Sequence, residues 1–137
     1  QRMEQERKRK IQKISNPQDA VAYCTDMQDL RQEEFRTLLL DTKNKILAQK
    51  SVFIGTVNSS LVSPREVFHA AVQYMAATII VLHNHPSGDP SPSREDKEST
   101  KQLVRAGKIL NIPIIDHIII GKSGYFSFKE GGGLDSC

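Results

Sequence analysis

The chain has no tryptophan, and its aromatic side chains make up only 6% of 137 residues. Aliphatic side chains must therefore fill most of the interior. There are two cysteines, Cys24 and Cys137, far apart in sequence. A disulfide framework and a cysteine-based zinc finger are both excluded, and this usage fits a reducing cytoplasm. No apolar run approaches the ~20 residues of a membrane-spanning helix, and no signal-peptide apolar region is visible. Charge of one sign is also scarce. The net charge is +3, but residues 1–13 hold Arg2, Arg7, Lys8, Arg9, Lys10 and Lys13 against Glu4 and Glu6, a local +4 that leaves −1 for the rest. The globular part is thus not a basic nucleic-acid-binding domain by charge.

What is present is enough for one domain with a real core. Residues 1–14 read as a basic linker or loose helix, 15–134 as the domain, and 135–137 as a tail. Gln1 stands where a methionine would begin a whole protein, so a longer parent chain is expected. The sequence Ser15-Asn16-Pro17 reads as a helix start, with the helix running to about Leu30 and Ala20, Val21, Cys24 and Met27 on one stripe. Phe35 to Leu40 and Lys45 to Thr56 read as a β-hairpin around the turn Asp41-Thr42-Lys43-Asn44, and Asn58-Ser59-Ser60 as loop. Ser63-Pro64-Arg65-Glu66 has the form of a capping box with proline at the first helical position. Its helix is expected to reach Met75. Thr78 to Leu82 reads as a buried strand, Arg94 to Leu110 as a long helix with a weak point or bend at Gly107, and Ile114 to Ile120 and Tyr125 to Phe128 as strands. The order α-β-β-α-β-α-β-β, with strands apolar on both faces, predicts an α/β fold with a mixed sheet covered by helices.

The residues that carry chemistry lie between His83 and Asp96. Alternate residues of a strand share a face, so His83 and His85 present two imidazoles side by side while Asn84 points away. A loop with three prolines follows, and Asp96 stands on the first turn of the next helix. Two imidazoles and a carboxylate are three ligands of a tetrahedral zinc, and three protein ligands with one open position is the pattern of a catalytic rather than a structural site. Ser93 and Asp96 also suit a helix cap, and both roles are compatible. A nucleobase deaminase would need His-x-Glu and Pro-Cys-x-x-Cys, and neither is present.

The spacing of His83, His85, Ser93 and Asp96 resembles the JAMM (MPN+) metalloprotease motif. His83-Asn84-His85-Pro86-Ser87-Gly88 is similar to the signature of the bacterial RadC family, and Pro64-Arg65-Glu66 and Asp116-His117 resemble further landmarks of it. This resemblance covers about residues 16 to 134. It implies an MPN fold similar to that of cytidine deaminases, with Zn2+ held by His83, His85 and Asp96. It implies hydrolysis of an amide or isopeptide bond by a zinc-activated water, with Ser93 steadying the tetrahedral intermediate. The alternative is a weakly catalytic or non-catalytic metal-binding module in DNA repair or replication. Its DNA contact would be made by the basic N-terminal run, or by a helical N-terminal region of the kind the family carries.

The family also uses an upstream glutamate as the base. The stretch Ala48-Gln49-Lys50-Ser51, before Phe53-Ile54-Gly55-Thr56, reads as its place and holds no carboxylate. Lys50 is therefore expected to leave hydrolysis slow, Lys50→Glu to raise it, and Glu66 to be the nearest substitute. His117 is a candidate support for the metal site or a buried structural histidine. The substrate, a peptide or protein, is not specified by any of these residues.

Overall fold

The computed structural model describes residues 11–55 and 62–134; the loop expected at Asn58-Ser59-Ser60 and the tail at 135–137 lie outside them. Helix α1 spans Pro17–Tyr23 and a 3-10 turn Thr25–Asp29. Strands β1 (Glu33–Leu40) and β2 (Ile46–Gly55) follow, then helix α2 (Pro64–Gln73), strand β3 (Thr78–Asn84) and helix α3 (Arg94–Leu110). Strands β4 (Ile114–Ile120) and β5 (Tyr125–Ser127) close the chain. No helix among the described residues is long and apolar enough to cross a membrane.

The strands form one mixed sheet in the order β2-β1-β3-β4-β5. Only β3 and β4 are parallel, and α3 is the crossover between them. The expected α/β fold with a mixed sheet is the one observed. Both faces are covered. Phe35, Leu39, Ile79 and Val81 pack with Val67 and Phe68 of α2 and Leu103 and Val104 of α3. Leu38, Leu40, Ile80, Leu82, Ile118 and Ile120 pack on the other face with Ala20, Cys24 and Met27. Each fully buried aliphatic side chain contributes about 1.5–3 kcal/mol, which explains why the three central strands are apolar at consecutive positions.

Three local expectations are corrected. The first helix ends at Tyr23 instead of reaching Leu30, because the Cys24 backbone leaves the helical region (φ −114°, ψ 35°) and the chain tightens into the 3-10 turn. That turn brings Asp26 against the buried Arg36 guanidinium, with Nη1 to Oδ1 at 3.0 Å. Gly107 does not interrupt the helix, which runs through it to Leu110: a Cβ there would lie 2.7 Å from the Ile112 carbonyl oxygen, so glycine is needed for the close return of the chain. Glu66 does not close a capping box; the α2 cap is Ser63, whose Oγ accepts from the Arg65 N–H.

Asp116 ties the last strand to its neighbour. Its carboxylate is 3% exposed and accepts from His117 N at 2.7 Å, Lys129 N at 3.0 Å and Ser127 Oγ at 2.6 Å. Burial pushes its pKa up, and these three donors pull against that rise. Asp116→Ala strips three donors of their acceptor. Each buried orphan costs about 1–3 kcal/mol, and Lys129 can turn to water, so the expected loss is about 2–4 kcal/mol in urea unfolding.

Candidate metal centre

Strand β3 lies between β1 and β4, and its carboxyl end carries the two histidines. His83 is fully buried and lies against Phe35 of β1, ring centroids 5.7 Å apart and nearly parallel. His85 stands just past the strand, its N–H bonded to Ile120 O at 2.9 Å. Its Nδ1 is 2.9 Å from Asp89 O. The turn that follows depends on Gly88, whose φ of +98° is rare for other residues.

The chain then enters α3 through a capping box. Ser93 Oγ accepts from Asp96 N at 3.0 Å, and Asp96 Oδ2 accepts from Ser93 N at 2.8 Å. The cap fixes the Asp96 carboxylate in the buried space beside the imidazoles. His83 Nε2 is 3.1 Å from Asp96 Oδ1, His85 Nε2 is 3.1 Å from Asp96 Oδ2, and the two Nε2 atoms are 3.2 Å apart. Ser93, expected as a cap or as a catalytic group, is at least the cap.

A fourth group completes the cluster, and sequence reasoning missed it. Glu33, the first residue of β1, places Oε2 at 3.8 Å from His83 Nε2. The ligand-type atoms of Glu33, His83 and His85 all lie within 4.8 Å of one another, an arrangement compatible with metal binding. Antiparallel pairing of Phe35 with His83 produces this meeting across 50 residues of chain. Asn84 extends it: its side chain accepts from Glu34 N at 2.7 Å and donates to Gln32 O at 3.1 Å, holding the backbone on both sides of Glu33. The expected start of β1 at Phe35 falls two residues late, because Glu33 and Glu34 still pair with Gly55 and Ile54 of β2. The readable signal was the acidic pair Glu33-Glu34 ahead of an apolar strand. Of that pair, Glu34 is bonded to Arg36 and Ser51.

Lys50 is not part of this cluster. It pairs with Thr37, well along β1 from Glu33, and its ammonium lies 5.2 Å from the centre of the Tyr74 ring. With Glu66 and His69 it lines a separate cavity of about 570 Å³ between β2 and α2. The reading that lysine replaces the upstream glutamate is therefore corrected: a carboxylate is present beside the histidines, and β1, not β2, supplies it.

Behind the cluster lies His117, fully buried on β4. Its Nε2 is 2.9 Å from His83 Nδ1, and its Nδ1 is 2.5 Å from Thr100 Oγ1. Its ring stacks on Phe128, centroids 4.8 Å apart.

Burial pushes the Asp96 carboxyl up, but the His83 and His85 imidazoles that face it at 3.1 Å outweigh burial and hold Asp96 well below the carboxylate range. The Asp96 carboxylate, 3.1 Å away, raises His85 against the opposing effect of its own burial. Burial raises Glu33, partly offset by both histidines. Burial holds His117 well below the ordinary imidazole range. His83 and Asp96 are closed to solvent, whereas the Glu33 and His85 side chains remain 18% and 17% exposed. The cluster thus opens to the outside on the Glu33–His85 side.

A mixed sheet with His-x-His at the end of a central strand, and a capped carboxylate on the helix that follows, defines a JAB (MPN) class of domain. The chain belongs to the RadC-like JAB domain family, whose model matches residues 14–134. It is 53% identical over 120 residues to a UPF0758 protein of Bacillus cereus strain ZK / E33L, covering 87% of this chain and 53% of that protein. UPF0758 proteins of Bacillus anthracis strain CDC 684 / NRRL 3495 and Shouchella clausii strain KSM-K16 are 52% and 53% identical over the same length, again across 87% of this chain and 53% and 52% of theirs. The chain spans about half the length of these relatives.

Proposed function

We propose that this domain is a zinc-dependent amide or isopeptide hydrolase in which His83, His85 and Asp96 hold the metal and Glu33 is the general base. The observation that carries this reading is the convergence of lone pairs. Asp89 O can only accept, so the neutral His85 ring keeps its proton on Nδ1 and offers a bare Nε2 to the space shared with His83 and Asp96. Electron-rich atoms at 3.1–3.2 Å repel unless a proton or a metal cation lies between them, and a metal cation satisfies all of them at once. Ligands about 2.0–2.1 Å from a tetrahedral zinc are about 3.3 Å from each other, so these spacings fit.

Asp96 is the better third ligand because it is buried and 3.1 Å from both Nε2 atoms, whereas Glu33 is 3.8 Å from one and partly open. Zinc held there supplies Lewis acidity, acidifying a water and polarising a carbonyl. Glu33, 3.8 Å from His83 Nε2 on the open side of the cluster, takes the proton of the attacking water and delivers it to the departing nitrogen. Ser93 Oγ serves Asp96 N as acceptor, so its own hydroxyl proton is free to steady a developing oxyanion.

The test is cleavage of a panel of fluorogenic peptides and isopeptides by zinc-loaded protein. Cleavage that is lost on chelation and restored by zinc supports the reading. Absence of cleavage across the panel by fully loaded protein favours the metal-binding module instead. Lys50→Ala and Lys50→Glu are both expected to leave zinc content and cleavage within about twofold of the parent, the scale of ordinary surface changes. A tenfold change in either would bring position 50 back into the site.

A further inference from the structure

We infer that Thr100 and His117 form a proton relay that fixes the tautomer of His83, so that its Nε2 is presented bare to the metal position. The inference rests on the metal reading above only for its purpose, because the relay itself follows from counting protons. Thr100 Oγ1 has one proton and two close partners, Asp96 O at 2.8 Å and His117 Nδ1 at 2.5 Å. A carbonyl oxygen cannot donate, so the threonine proton goes to Asp96 O and the hydroxyl accepts from His117 Nδ1–H. A neutral imidazole carries one ring proton, so His117 Nε2 is bare and accepts from His83 Nδ1–H across 2.9 Å. That leaves His83 Nε2 without a proton, facing Asp96 and His85.

The relay has a closed logic. It starts at the backbone carbonyl of Asp96 and ends at the nitrogen that faces the same residue's carboxylate. The parts cannot turn easily. Thr100 is 1% exposed and His83 and His117 fully buried. The His117 ring is held by stacking on Phe128 and by tilted contact with Phe35 at 5.8 Å. Sequence alone offers Asp116-His117 as a pair, but the pair divides its labour: Asp116 braces β5, and His117 orients His83. His117 is thus a positioning residue, since it acts on the site only through His83.

The experiment is long-range proton–nitrogen correlation spectroscopy of 15N-labelled full chain at about pH 8, above the ordinary imidazole range, loaded with zinc and again after chelation. Zinc affinity is measured in parallel for Thr100→Val and Thr100→Ser. The expected result is a proton on Nδ1 of both His83 and His117 in both states. Thr100→Val should scramble these tautomers and weaken zinc about 10–100-fold, and Thr100→Ser should behave as the parent. A His83 proton on Nε2 in the chelated parent overturns the inference, and so does Thr100→Val with parental tautomers and affinity. If Thr100→Val fails to fold, the parent spectra still decide. A parent with the stated tautomers but no zinc affinity supports the relay and sinks the metal reading, so the two failures are distinct.

Discussion

Glu33→Gln is expected to lower cleavage by about 10²–10⁴-fold, the usual cost of removing a positioned general base, while leaving zinc content unchanged. The substitution keeps the shape of the side chain and removes only its ability to accept a proton. Its backbone remains held by the Asn84 side chain, which bonds Glu34 N and Gln32 O on either side. Glu33 is also the member of the cluster with the longest approach, 3.8 Å to His83 Nε2, so the buried trio can keep a cation without it. The decisive readout is kcat for a cleavable peptide beside zinc content from the same preparation. A variant that has lost its zinc would make Glu33 a ligand. One that keeps both zinc and full activity would remove it from the mechanism.

Asp96→Asn is expected to reduce zinc binding to the baseline and to abolish the stabilisation that zinc confers. Asp96 has two tasks in this structure: it faces both imidazoles at 3.1 Å and closes the capping box of α3 with Ser93. Asparagine retains an acceptor for the Ser93 N–H and loses the negative charge, so the cap is largely kept. Asp96→Ala removes both and should cost a further ~0.5–2 kcal/mol through the lost cap. In the parent, zinc at a hundred times its dissociation constant should add about 2.7 kcal/mol of stability. Thermal unfolding with and without zinc separates these contributions. The parent should show a shift that both variants lack, and only the alanine variant should also be weaker without metal. An unchanged zinc shift in Asp96→Asn would exclude this carboxylate as a ligand.

The sequence was most legible where structure is local. Helix α3 is bounded by Ser93 at its start and Asn111 in the left-handed conformation at its end, and its predicted range is the observed one. The strand before it and the loop between them place His83, His85 and Asp96 by short-range geometry alone, so their convergence followed from spacing. Glu33 was hidden for the opposite reason. Its approach to His83 depends on the antiparallel register of β1 against β3, and register is set by burial of whole strand faces, which no short spacing encodes. The same difficulty applies to Lys50, which has the right neighbours in sequence but belongs to β2, on the far side of β1 from the histidines. The premature end of the first helix was equally non-local, since Asp26 meets Arg36 of a later strand. His117 was recognisable as a candidate support, but the direction of its hydrogen bonds required Thr100, which carries no sequence signal of its own.

Zinc-edge X-ray absorption of the loaded parent beside loaded Glu33→Gln reads the ligand set itself. Two imidazole nitrogens and oxygen donors at about 2.0–2.2 Å are expected, with no sulfur and the same shell in both proteins. A shell with fewer than two imidazoles, or one that changes when Glu33 becomes glutamine, would contradict this ligand set.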